Sequence, residues 1–125
     1  MNLVDSSCWL EYFAGSSVGE AVASAIEDID NLLVPTIVLY EVFKKLLTEL
    51  DEDRALFAVA HMKQGHVINL DSDLGVFAAQ VGKNYKLAMA DSIIYAISKK
   101  MSAILWTQDK HFKDLDSVKY FEKKY

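Results

Sequence analysis

Residues 32–50 read LLVPTIVLYEVFKKLLTEL and carry two structural signals back to back. Leu32, Leu33 and Val34 form a short unbroken apolar run, as expected of a strand buried on both faces. Pro35 and Thr36 then open a helix to about residue 50. Its apolar stripe is Leu39, Val42, Phe43, Leu46, Leu47 and Leu50, at the 3.6-residue period. A strand that runs straight into a helix is the building unit of a parallel sheet.

The alternation continues on both sides of this stretch. Residues 2–4 predict a strand ending at Asp5, then a helix to residue 13 capped by Ser6 or Ser7, and a turn over 14–17. A helix over 18–27 leads into the stretch itself. After it come a helix over 55–63 ended by Gly65, a strand over 67–70, and a helix to residue 85 capped by the Asp71-Ser72-Asp73 cluster. A helix over 90–100 and strands over 104–106 and 118–121 complete the chain. Strands alternating with helices predict an α/β fold, a three-layer α/β/α sandwich around a mostly parallel sheet. Residues 1–125 read as one domain, with no repeat, linker or low-complexity segment. Ligands of such sheets bind at the carboxyl ends of the strands.

Four acidic residues fall at the edges of apolar segments. Asp5 is the only charge in MNLVDSSCWL, Glu41 the only charge between Leu32 and Phe43, and Asp91 the only charge in LAMADSIIYAI. Asp109 is the first charge after MSAILWTQ. A carboxylate is rarely buried unless paired. Each acid has a plain structural alternative: Asp5 as a helix cap, Glu41 on a solvated face, Asp91 in a dipole contact at a helix start, Asp109 capping a turn. Four together suggest a divalent cation held by oxygen ligands.

Other features narrow the function. The net charge is −5; removing the four carboxylates leaves −5 + 4 = −1, so the acidity does not argue against a phosphate-bearing substrate once cations are bound. No apolar run is long enough for a membrane span, and the start MNLVDSS has no signal-peptide pattern, so a cytoplasmic location is expected. Cys8 reads as a small core side chain. His61, His66 and His111 lack metal-ligand spacing and read as surface or loop residues, and there is no glycine-rich phosphate loop.

Leu3-Val4-Asp5-Ser6-Ser7, Glu41 in a helix after a strand, Ala90-Asp91-Ser92-Ile93-Ile94-Tyr95-Ala96, and Thr107-Gln108-Asp109 after an apolar strand resemble the PIN domains. The small single-domain form is similar to VapC-type toxins of toxin–antitoxin pairs, and the resemblance covers essentially the whole chain. It implies a Mg²⁺- or Mn²⁺-dependent endoribonuclease. The family's four acids fall on Asp5, Glu41, Asp91 and Asp109, and its hydroxyl positions on Ser6 and Thr107. Asp5, Asp91 and Asp109 would then hold metal directly or through water, with Glu41 on a second ion or orienting the attacking water. Gln108 stands where Asn or Arg is common. The resemblance further implies an RNA substrate, a homodimer and a small VapB-like antitoxin. For the antitoxin, Trp9, Leu10, Tyr12, Phe13, Leu46, Leu47 and Leu50 are candidate contacts. Lys44, Lys45, Lys83, Lys86, Lys99 and Lys100 are candidate RNA contacts. Rival readings are a free-standing RNA-processing nuclease without antitoxin and a non-catalytic interaction module of the same fold. Receiver and haloacid-dehalogenase-type sites are disfavoured because Ser6 and Ser7 follow Asp5, where those folds need a further acid.

Overall fold

The computed structural model describes residues 1–123. Among them, five strands form one sheet: β1 (Asn2–Val4), β2 (Leu32–Pro35), β3 (His66–Ile68), β4 (Ile104–Thr107) and β5 (Val118–Tyr120). All pair in parallel, in the order β3-β2-β1-β4-β5, with Leu3 opposite both Leu33 and Leu105. Six helices connect them: α1 (Ser6–Ala14), α2 (Ser17–Glu27), α3 (Thr36–Glu49), α4 (Glu52–Met62), α5 (Ser72–Tyr85) and α6 (Met89–Lys100). The chain winds outward from β1 to β3, then returns to the other side of β1 for β4 and β5. That reversal places helices on both faces, the α/β/α sandwich the sequence predicts.

Successive strand residues point to opposite faces. Leu3 and Val4, Leu33 and Val34, and Leu105 and Trp106 are nonetheless all buried, so both faces of the sheet are covered. Trp9, Tyr95 and Phe112 are fully buried and anchor the flanking layers. Gly19 allows the close crossing of α1 and α2, since a Cβ there would stand 2.8 Å from the Tyr12 Cα. Cys8 is buried as expected, and burial pushes its thiol up to about 12, which leaves it unreactive at neutral pH. No helix among the described residues is long and apolar enough to cross a membrane.

The structure corrects several local expectations. Asp5, not Ser6 or Ser7, is the N-cap of α1: it holds extended dihedrals and its carboxylate accepts from the Ser6 amide. α4 begins three residues before the predicted 55. Asp51 caps it, and Glu52 and Asp53 fill a first turn where negative charge is favourable, a signal the apolar stripe does not carry. β3 ends at Ile68, where its pairing with Pro35 of β2 ends. Asp71 alone caps α5, through the Leu74 amide at 2.8 Å. In α3 the fully buried positions are Val38 and Val42, while Tyr40, Leu47 and Leu50 are exposed. Glu41 stands one turn beyond Val38 and beside Val42. It therefore borders the buried stripe rather than the solvated face.

Candidate active site

β1 and β4 are neighbours, and the chain leaves them for opposite sides of the sheet. Their carboxyl ends flank the point where strand order reverses, where an open α/β sheet leaves a crevice. Asp5 follows β1, with its amide bound to the Trp106 carbonyl at 2.9 Å. Thr107 ends β4, and Asp109 starts the short 3-10 turn Lys110–Phe112. Glu41 enters from the second turn of α3 and Asp91 from the first turn of α6. The four acids line one cavity of about 430 Å³ together with Ser6, Ser7, Gln108, Lys110, His111 and Lys123.

Asp5 lies deepest, 5% exposed. Its carboxylate accepts from Thr107 Oγ1 at 2.7 Å, the Ser6 amide at 2.8 Å and Ser7 Oγ at 3.4 Å. The Ser6 hydroxyl lies farther off, at 3.5 Å. Ser7 Oγ in turn accepts from the Gln108 amide at 3.1 Å, and Thr107 Oγ1 from the Asp109 amide at 2.9 Å. The Thr107 hydroxyl thus ties two acids on adjacent strands to one another. Removing it as Thr107→Val is expected to cost about 1–3 kcal/mol, because the Asp109 amide and the Asp5 carboxylate each lose a partner. Thr107→Ser should retain most of the stability. Urea unfolding of the three proteins checks this, and equal stability of the valine variant would contradict it.

The electrostatics are unfavourable in the absence of a cation. Burial pushes the Asp5 carboxyl above its ordinary range against the hydrogen bonds from Thr107 and Ser6, and Asp109 adds to the rise. Burial, then the Asp5 charge, raises Glu41. Asp91 is pushed up to about 6, by burial first and then by Asp109 and Asp5. Glu41 Oε1 is buried and has no hydrogen-bond partner among the described residues. A buried oxygen left without a donor, in a cavity that concentrates carboxylates, fits a divalent cation bound there.

Two groups of site residues escaped the sequence reading. His111 is no free loop residue: its Nδ1 lies 2.9 Å from Asp109 Oδ1 and 3.4 Å from Asp91 Oδ2. The signal that could have found it is the next residue. Phe112 is fully buried and pins the turn, which brings His111 back over the site. Among the described residues, the lysines on the cavity are Lys110 and Lys123, and none of the six named from sequence lines it. Lys45 instead borders the adjoining apolar cavity and pairs with Glu49 at 2.8 Å, and Lys99 lies over the Tyr85 and Tyr95 rings.

This sheet order and this acidic crevice define a class of α/β domain. The chain belongs to the PIN domain family, which it matches over residues 3–118. A comparison with curated proteins finds no match. Among solved structures, the chain is similar to one described as a toxin–antitoxin complex from Klebsiella pneumoniae, with 21% identity and a TM-score of 0.82 over 98% of this chain and 100% of that one. It is also similar to a DNA-bound VapBC from Salmonella typhimurium, with 14% identity and a TM-score of 0.72 over 98% of each chain. A third is VapC20 of Mycobacterium tuberculosis, described as a Sarcin-Ricin loop cleaving toxin, with 17% identity and a TM-score of 0.72 over 94% of this chain and 98% of that one. At these identities the likeness establishes the shared fold.

Proposed function

We propose that the chain is a Mg²⁺- or Mn²⁺-dependent endoribonuclease and the toxin of a VapBC-type pair, acting as one domain over residues 1–125 in the cytoplasm. The observation that carries the reading is the convergence of Asp5, Glu41, Asp91 and Asp109 on one cavity, with one Glu41 oxygen buried and unpartnered. The toxin–antitoxin descriptions of the structural neighbours, and the Sarcin-Ricin loop named for one of them, support RNA as substrate and an antitoxin as partner.

In this account Asp5, Asp91 and Asp109 hold the cation, directly or through water. Glu41 holds a second ion or orients the attacking water. A bound divalent cation polarises a phosphoryl oxygen and makes water a competent nucleophile near neutral pH. Thr107 and Ser6 keep the Asp5 carboxylate aimed, and Thr107 fixes Asp109. Lys110 and Lys123 face the same cavity and draw the phosphate backbone toward it, an attraction that weakens with salt.

An apolar cavity of about 640 Å³ shares Ser6, Ser7, Gln108 and Lys123 with the acidic one and is lined further by Leu10, Phe13, Leu46 and Leu50. It suits the antitoxin segment. Trp9 is fully buried and drops out of that contact set. The homodimer belongs to the same proposal.

The test is cleavage of a pool of structured and single-stranded RNAs by purified protein, with Mn²⁺ or Mg²⁺, with EDTA, and with Asp5→Asn. Cleavage is expected only for the parent protein with metal. Cleavage that persists in EDTA, or undiminished cleavage by Asp5→Asn, would overturn the assignment.

A further inference from the structure

We infer that His111 is a direct ligand of the cation held by Asp91 and Asp109, which makes the site a mixed carboxylate–imidazole centre with a bias toward Mn²⁺ over Mg²⁺. The inference rests on the metal site proposed above and adds a nitrogen donor to it.

Three donor atoms, from Asp91, Asp109 and His111, lie within 4.8 Å of one another. The imidazole Nδ1 stands 2.9 Å and 3.4 Å from the two carboxylate oxygens. Neighbouring ligands on an octahedral ion with bonds of about 2.1 Å stand roughly 3 Å apart, so the imidazole already stands near coordination-shell spacing from each carboxylate oxygen. Glu41 Oε1, on the same cavity and without a hydrogen-bond partner among the described residues, is independent of that trio and suits a cation bound there.

The backbone fixes the turn that carries the imidazole. The His111 amide donates to Asp109 Oδ1 at 2.9 Å, and the buried Phe112 ring holds the turn against the core, where it packs near Tyr95. The ring itself is 74% exposed, so no packing role explains its position. Ligation through Nδ1 requires the neutral tautomer with its proton on Nε2. Of the other histidines, His61 lies among Trp9, Tyr12 and Phe13, and His66 Nε2 is 2.9 Å from the Asp30 carbonyl. Neither lines the cavity. Mg²⁺ takes oxygen ligands almost exclusively, whereas a nitrogen donor raises affinity for first-row transition ions, of which Mn²⁺ is the one that also suits carboxylates; two carboxylates with one imidazole therefore shift the balance from Mg²⁺ toward Mn²⁺.

The experiment is pulsed electron paramagnetic resonance of untagged protein loaded with Mn²⁺, paired with Mn²⁺ and Mg²⁺ titrations of the parent and of His111→Ala. Truncating so exposed a side chain leaves the core untouched. The expected result is nitrogen modulation of the Mn²⁺ signal in the parent and none in His111→Ala. Mn²⁺ binding should weaken on the order of tenfold in the variant, and Mg²⁺ binding clearly less. Bound Mn²⁺ without nitrogen modulation in the parent would overturn the ligand assignment while leaving the carboxylate site standing. So would modulation that survives in His111→Ala. The rival role, a ring that only bridges the two carboxylates by hydrogen bonds, gives the first of these results. No Mn²⁺ binding at all would overturn the metal site itself and this inference with it.

Discussion

Asp91→Asn is expected to stabilise the metal-free protein at pH 7.5 and to lower RNA cleavage at least about 100-fold. The two effects share one cause. Asp91 is 18% exposed, and burial first, then the neighbouring Asp109 and Asp5 charges, push it up to about 6 from an ordinary 3.8. At neutral pH the folded protein carries that carboxylate charged at a cost of up to about 3 kcal/mol. Partial exposure reduces the cost to about 1–2 kcal/mol, and the neutral amide removes it. The gain should shrink as pH falls toward 4, where the acid is protonated in the folded parent. Urea unfolding at pH 7.5 and pH 4 measures the first effect, and initial cleavage rates the second. A variant less stable than the parent at pH 7.5 without metal would show that the carboxylates are not in conflict. An active variant would show that Asp91 is not part of the chemistry.

A divalent cation is expected to reverse the dependence of stability on pH. Asp5, Glu41 and Asp91 all have folded-state pKa values raised above those of the unfolded chain. Groups of this kind favour folding fully below their unfolded values, and the contribution is lost as pH rises through the folded ones. For Asp91 the window runs from 3.8 to about 6, so the metal-free protein should lose stability between about pH 4 and pH 7. Mn²⁺ at about a hundred times its Kd adds about 2.7 kcal/mol, a rise in Tm on the order of 10 °C for a domain of this size. Protons compete for the same oxygens, so the rise should be largest at pH 7.5 and small at pH 5. Thermal melts across that range with Mn²⁺ or EDTA check the prediction. A metal-free Tm that climbs from pH 5 to pH 7.5, or no response to metal, would count against it.

These expectations rest on residues that the sequence marks unevenly. Each of the four acids interrupts an apolar segment, and its backbone position follows from the strand–helix alternation. That is why Asp5, Glu41, Asp91 and Asp109 could be named before their side chains were seen to share a cavity. Thr107 was legible only through the family resemblance, as the hydroxyl two residues before Asp109; the predicted strand stopped at Trp106, and the structure carries β4 on to Thr107. The sheet order was less legible. Only the tertiary arrangement shows that β4 lies against β1, which brings Thr107 to Asp5 across 102 residues of chain.

His111 carried only an indirect mark, the apolar Phe112 beside it: its contact with Asp91 is made with a different helix, and the two meet only through the turn that Phe112 anchors. Lys123 reaches the cavity from beyond β5, the last strand, and periodicity says nothing about where such a segment returns. The α3 stripe misled toward its end. Leu47 and Leu50 fit the helical period but remain on the surface. Helix caps were mixed. Of the Asp71-Ser72-Asp73 cluster only Asp71 caps, while at Asp5 the cap and the candidate ligand proved to be the same carboxylate.

The central claim is that this cavity hydrolyses RNA with a metal-activated water. Its most direct test is one turnover of a short RNA with Mn²⁺ in water labelled with heavy oxygen, followed by mass spectrometry of the product ends. The account predicts a terminal phosphate carrying one heavy oxygen, formed by the parent and not by Asp5→Asn. A cyclic phosphate without label would mean that the ribose hydroxyl, not water, attacks the phosphorus, and would contradict the role given to the four carboxylates.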